Sequence, residues 1–118
     1  MKYLCLAYGN MEKMDSLSEE QMKAIGEACR PYMQDLQQSA SLILDNGLEN
    51  FSTVLRPGTA GVSVTDGPFI ESKEQIGGVF LFEARDLNEA IRIASRHPAA
   101  HLNGDLGWGI EIRAVTEF

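Results

Sequence analysis

The strand-like segments of this chain are apolar on both faces, and the chain has too few helices to cover both. In residues 2–8, Leu4, Leu6 and Tyr8 alternate with Tyr3, Cys5 and Ala7; in 76–84, Val79 and Leu81 oppose Phe80 and Phe82. Successive side chains of a strand point to opposite faces, so each alternation puts large apolar groups on both sides of a sheet. Helical spacing occurs only twice. Residues 18–40 carry apolar side chains at 22, 25, 29, 32, 33, 36 and 40, opened by a capping box of Ser18 and Gln21 and a staple of Leu17 on Met22. The spacing continues through Pro31, which predicts one kinked helix. A second helix starts at Asp86 with Glu89 as box partner, carries the stripe Leu87, Ala90, Ile91 and Ala94, and ends at Pro98. The order strand, helix, two strands, strand, helix, strand lays both helices on one face of the sheet. The other face needs a partner, and a second copy is the simplest one. At about 25 cal/mol per Å², several hundred Å² of hidden face per subunit contributes on the order of 10 kcal/mol before association costs. A homodimer is the expectation.

Shorter signals fill the rest. Gly9-Asn10 breaks the first strand and a polar loop runs to Ser16; Leu42-Ile43-Leu44 and an Asn46-Gly47 turn return the chain to the sheet. Strands at 51–56 and 61–66 flank Pro57-Gly58 as a hairpin, Glu71 to Glu74 reads as a helical turn, and 109–116 forms the last strand after a glycine-rich loop with Asn103, Asp105 and Trp108. At 118 residues the chain is one domain, long enough to bury roughly 65% of its unfolded surface without disulfides or metal.

Charge and composition exclude several classes of function. Seventeen acidic against ten basic residues give a net charge of −7, and the cations are scattered singly. Such a surface repels phosphate backbones and anionic headgroups, which argues against nucleic acid or membrane as a partner. The apolar start is too short for a secretion signal and no later run reaches a membrane-spanning length, so the expected location is cytoplasmic. In a reducing compartment Cys5 and Cys29, both within regular elements, read as buried free thiols. His97 and His101 stand four apart, but Pro98 interrupts the helix between them and no further ligand completes a set, so no metal site is expected. The chain has no glycine-rich phosphate loop and no nucleophile elbow, and no cofactor is expected.

The chemistry-bearing signal is Asp66-Gly67-Pro68-Phe69. It follows the alternating Val62-Ser63-Val64-Thr65, so a carboxylate stands at a strand end against a turn stiffened by Gly67 and Pro68, with Phe69 as an apolar surface beside it. The plain alternative is a hairpin exit whose Phe plugs the core. With Glu71, Ser72, Lys73, Glu74 and the pair Gly77-Gly78 ahead of an apolar strand, the motif resembles the signature of the YciI-related family in its DGPF-domain branch. The likeness extends to Met1-Lys2-Tyr3-Leu4, Tyr8-Gly9, Thr53-Val54, Asp86-Leu87, Glu89-Ala90, His97-Pro98 and Ile110-Glu111-Ile112-Arg113. It implies an α+β fold: a ferredoxin-like antiparallel sheet with two helices on one face, pairing as a dimeric α+β barrel. Some relatives of the barrel family resemble muconolactone isomerases or dehalogenases, and family members are often associated with sigma-factor genes.

Candidate site residues follow from these readings. His97 lies three residues beyond Ala94 on the same stripe, so it points toward the sheet, where an imidazole serves as acid or base if a carboxylate orients it. Asp66 is the nominated partner, and the resemblance implies a His/Asp dyad in a cleft. The alternative for His97 is a helix C-terminal residue bonded to free carbonyls. Tyr8, Pro68, Phe69 and Glu71 are the candidate ligand-binding residues; Tyr8 also reads as a core-edge tyrosine and Glu71 as part of a solvated turn. Trp108 reads as a plug of the core or the dimer rim. The expected function is cofactor-independent proton transfer or elimination on a small organic acid or lactone. The alternative is a non-catalytic module that binds a small ligand or serves as a sigma-factor-associated regulatory accessory.

Overall fold

The structure, a computed structural model, describes residues 1–39 and 41–117. In chain order the elements are β1 (Lys2–Asn10), α1 (Met11–Asp15), α2 (Glu19–Gln37), β2 (Leu42–Gly47), β3 (Thr53–Gly58), β4 (Gly61–Asp66), β5 (Glu74–Glu83), α3 (Leu87–Ala94), two 3-10 turns (Pro98–Ala100 and Gly104–Leu106) and β6 (Gly109–Ala114). The fold is α+β, with a four-stranded antiparallel sheet in the order β2-β5-β1-β6, compatible with a ferredoxin-like arrangement, and a separate two-stranded ribbon of β3 and β4.

The sheet separates its two faces as the alternation predicts. Tyr3, Cys5 and Ala7 of β1 and Phe80 and Phe82 of β5 are buried, and Leu36 of α2 with Ala90, Ile93 and Ala94 of α3 closes over them. Both long helices therefore cover one face. On the other face Leu4, Leu6, Val79 and Leu81 are only half-buried, and Leu44 beside Leu81 is exposed. The ribbon projects from this two-layer body. Leu55, Val62 and Val64 are 63%, 68% and 63% exposed, and register places Leu55 opposite Val64 on one face of the ribbon. The radius of gyration is 16.1 Å, against about 13 Å for a compact chain of this length.

Local chemistry accounts for the element ends. At the start of α2 the Gln21 N–H donates to Ser18 Oγ at 3.1 Å and the Ser18 N–H to Gln21 Oε1 at 2.9 Å, a complete capping box. The helix continues through Pro31 and ends at Gln37, short of the expected 40, a residue outside those described.

Several expectations need correction. The loop expected before Ser16 contains α1, because the Asn10 side chain accepts the Lys13 N–H at 3.1 Å and caps a helix. Asn46-Gly47 lies within β2 instead of turning, because both residues pair with β5. No helical turn forms at Glu71 to Glu74; Glu74 already pairs with Asn10 as the first residue of β5. The buried stripe of α3 is rotated about one residue from the expected one: Ala90, Ile93 and Ala94 face the sheet, and Leu87 and Ile91 face outward. At its start Asp86 accepts the Glu89 N–H as expected, but the Glu89 carboxylate bonds Arg85 in place of the Asp86 backbone. Cys5 and Cys29 are free thiols; Cys5 is buried as expected, whereas Cys29 is only half-buried.

Candidate active site

The best-formed cavity, about 360 Å³, opens where the end of β1, α1, α2, β2 and the start of β5 converge. Its body is apolar: Met11, Met14, Met22, Met33, Val79 and Trp108 line it. Trp108 donates its indole N–H to Met14 Sδ at 3.4 Å, which fixes the ring as a wall. Close strand approach shapes the floor. A side chain at Gly78 would place its Cβ 3.2 Å from the Asn46 carbonyl oxygen, so β2 would have to give way by a few tenths of an ångström to admit one.

Two titratable groups line this apolar cavity. Asp45 sits in β2 directly opposite Phe80. Its Oδ2 is shut off from solvent with no hydrogen-bond partner, and burial pushes its carboxyl above the ordinary value. His97 comes from the other side, its ring stacked on Phe80 at 4.8 Å between centroids with planes 7° apart. Phe80 thus seats both groups, and both line the cavity. Burial holds the His97 imidazole down at about 4. Its Nδ1 accepts the Ala99 N–H at 3.0 Å, capping the 3-10 turn that begins at Pro98. A ring nitrogen accepting a hydrogen bond carries no proton, so the neutral ring carries it on Nε2. That Nε2–H has no protein partner among the described residues. The helix-terminal part considered for His97 is played by His101, whose Nε2 meets the Ser95 carbonyl while its ring stacks on Tyr32 at 5.3 Å.

The residues nominated from sequence are distributed over the surface. His97 and Tyr8 line the main cavity, although the Tyr8 hydroxyl is engaged with Glu111 Oε1 at 3.3 Å. Pro68 and Phe69 line a second cavity of about 380 Å³ with Phe51 and Ile76. Glu71 borders a further depression with Glu12 and Lys73. Asp66 ends β4 opposite Thr53, is exposed, and lines none of these. Within one chain no hydrogen bond or ion pair joins Asp66 to His97, because Asp66 belongs to the projecting ribbon and His97 to the core beneath the sheet. In the signature turn, Gly67 adopts φ +106° and donates its N–H to the Ser52 carbonyl at 2.8 Å. The Arg56 guanidinium lies 4.0 Å over the Phe69 ring and donates to the Phe69 carbonyl at 3.1 Å.

Sequence reasoning missed Asp45 and the methionines. The available signal was a carboxylate in phase with Ile43 inside a strand-length segment, where a charge has no sheet partner to expect. Among the described residues no group of three or more His, Cys, Asp or Glu side chains is placed to hold a metal ion, and no helix is long and apolar enough to cross a membrane.

A small α+β domain with a methionine-lined pocket that a carboxylate and an imidazole also line is thus the class defined by fold and site. The chain belongs to the YCII-related domain family, whose model matches residues 1–118. No curated protein matches it significantly.

Proposed function

We propose that the main cavity is an acid/base site for proton transfer or elimination on a small carbonyl compound, with Asp45 as the base and His97 as a neutral hydrogen-bond donor. The observation that carries this is that Asp45, whose Oδ2 is buried and unpartnered, lines the same apolar cavity as an imidazole whose tautomer is set by Ala99. A carboxylate stripped of water and hydrogen bonds is a stronger base than one in solution. It removes a proton from the carbon next to a carbonyl, the C–H electron pair forms the enolate double bond, and the charge developing on oxygen is met by His97 Nε2–H. Where the compound carries a β,γ double bond, return of the proton to the γ-carbon completes an isomerisation to the conjugated carbonyl; where the β-carbon carries a leaving group, the enolate pair forms the α,β double bond and the group departs with its bonding pair, which completes an elimination. Asp45 thereby takes the proton-moving part first assigned to His97, no carboxylate is needed to orient the ring, and His97 donates a hydrogen bond without itself moving the proton. The test is wash-in of solvent deuterium at the α-carbon of a small ketone, followed by proton NMR, with exchange above the buffer rate as the expected result.

A second reading has one observation in its favour. Four thioethers make an adaptable lining of the kind that suits a non-catalytic pocket for apolar ligands. That reading expects binding with exchange no faster than in buffer.

We propose also that two chains pair through the half-buried face of Leu4, Leu6, Val79 and Leu81, with the apolar ribbon face of Leu55, Val62 and Val64 as a second surface needing cover. Sedimentation at micromolar concentration is expected to give twice the chain mass, and Leu81→Lys to shift it toward one. A wild-type chain sedimenting as a single subunit contradicts the pairing.

A further inference from the structure

We infer that the Asp45 and His97 cavity selects an uncharged carbonyl compound with an apolar body and rejects the carboxylate of the same shape. The placement of the carbonyl rests on the acid/base reading above; the exclusion of anions rests on the charges of the wall alone.

Among the described residues lining the cavity, the charged side chains are Asp45 and Asp15, and none is Lys or Arg. Asp15 stands at the exposed rim, where its Oδ1 accepts from Asn50 Nδ2 at 3.5 Å. Nearby Lys13 is directed elsewhere, donating to the Asp105 carbonyl at 3.0 Å. His97 brings no positive charge either, because an imidazolium could not accept the Ala99 N–H on Nδ1. A carboxylate entering this space would lose its hydration and gain two like charges without a cation to balance it.

A cation is attracted by the two carboxylates but leaves one polar group of the wall unmet. His97 Nε2–H is a donor without a protein acceptor, and an ammonium ion offers only more donors. The Trp108 N–H is already held by Met14. A carbonyl suits both polar groups of the wall: its oxygen would accept from His97 Nε2–H, its α-hydrogens would approach the Asp45 carboxylate, and its apolar remainder would lie against Met11, Met33 and Trp108. A volume of about 360 Å³ is at the small end for ligand pockets, which suits one ring or a short chain.

Three isosteric probes test the inference on the intact protein by calorimetry: benzylacetone, the carboxylate hydrocinnamate, and the primary amine with the skeleton of benzylacetone. The ketone is expected to bind at least about tenfold more tightly than hydrocinnamate. In Asp45→Asn, with circular dichroism to check the fold, the ketone should stay within about threefold while hydrocinnamate gains affinity. Hydrocinnamate bound as tightly as the ketone by the wild type, the amine bound more tightly than the ketone, or no ketone binding at millimolar concentration would each overturn the inference. Preferred ketone binding without deuterium exchange supports the charge selection and removes the acid/base reading, so the two fail separately.

Discussion

The signature turn and the methionine-lined cavity handle their polar groups in opposite ways. At the turn every strong feature is satisfied: Gly67 N–H has the Ser52 carbonyl, the Phe69 carbonyl has Arg56, and Asp66 stands in solvent. At the cavity the Asp45 oxygen has nothing, and burial pushes both Asp45 and His97 toward their neutral forms. A satisfied motif shapes the backbone; an unsatisfied buried carboxylate costs stability, which a fold tolerates where chemistry or binding needs it. The most conspicuous residues in the sequence and the least satisfied carboxylate among the described residues are therefore in different places.

The aromatic residues of the two regions give the largest contrast. Phe80, fully buried and stacked on His97, should cost about 3–5 kcal/mol on replacement by Ala. Phe69, 60% exposed beneath Arg56, should cost less than about 1 kcal/mol in one chain. Denaturant unfolding of both variants checks the ranking, and equal losses would break the comparison.

A smaller effect comes from His97. Its folded value, about 4, lies below the ordinary 6.5, so between these pH values the unfolded chain binds the extra proton and stability falls as the pH falls. Against His97→Asn, which keeps a side-chain cap for the 3-10 turn, the wild type should lose on the order of 2 kcal/mol from pH 6.5 to 4, screening of the partly exposed ring allowed for. A flat difference over that window would contradict the buried neutral ring.

Asp45 runs in the opposite sense and gives the smallest change. Its folded value lies above the ordinary 3.8, so the ionised carboxylate costs stability as the pH rises through that range. Asp45→Asn should raise thermal stability at neutral pH by about 1 kcal/mol, solvent screening keeping it small. Destabilisation instead would mean that Asp45 holds the fold.

What was legible in the sequence was local. Strand alternation, the Ser18 and Gln21 box, and the existence of the β3–β4 hairpin depend on neighbours a few residues apart, although Pro57 and Gly58 pair within β3 and the turn falls at Thr59-Ala60; the two-sided apolar strands gave the placing of both helices on one face directly. Short-range signals failed where tertiary pairing competes with them. Asn46-Gly47 has turn chemistry, yet β5 offers it a ladder; Asn10 reads as a strand breaker, yet its side chain starts a helix. The stripe of α3 could be set either way by periodicity, and the sheet chose Ile93 over Leu87 and Ile91. His97 was legible as an inward-facing group. Its neighbour Asp45 was not, because only the strand register and the Phe80 ring bring the two to one cavity.

The most direct test sets the two carboxylates against each other. Deuterium exchange at the α-carbon of benzylacetone is measured for the wild type, Asp45→Asn and Asp66→Asn at neutral pH. The account predicts that Asp45→Asn slows exchange by roughly 10²–10⁴-fold and that Asp66→Asn stays within about threefold of the wild type. Loss of exchange in Asp66→Asn with Asp45→Asn unaffected would place the chemistry at the signature turn and contradict it.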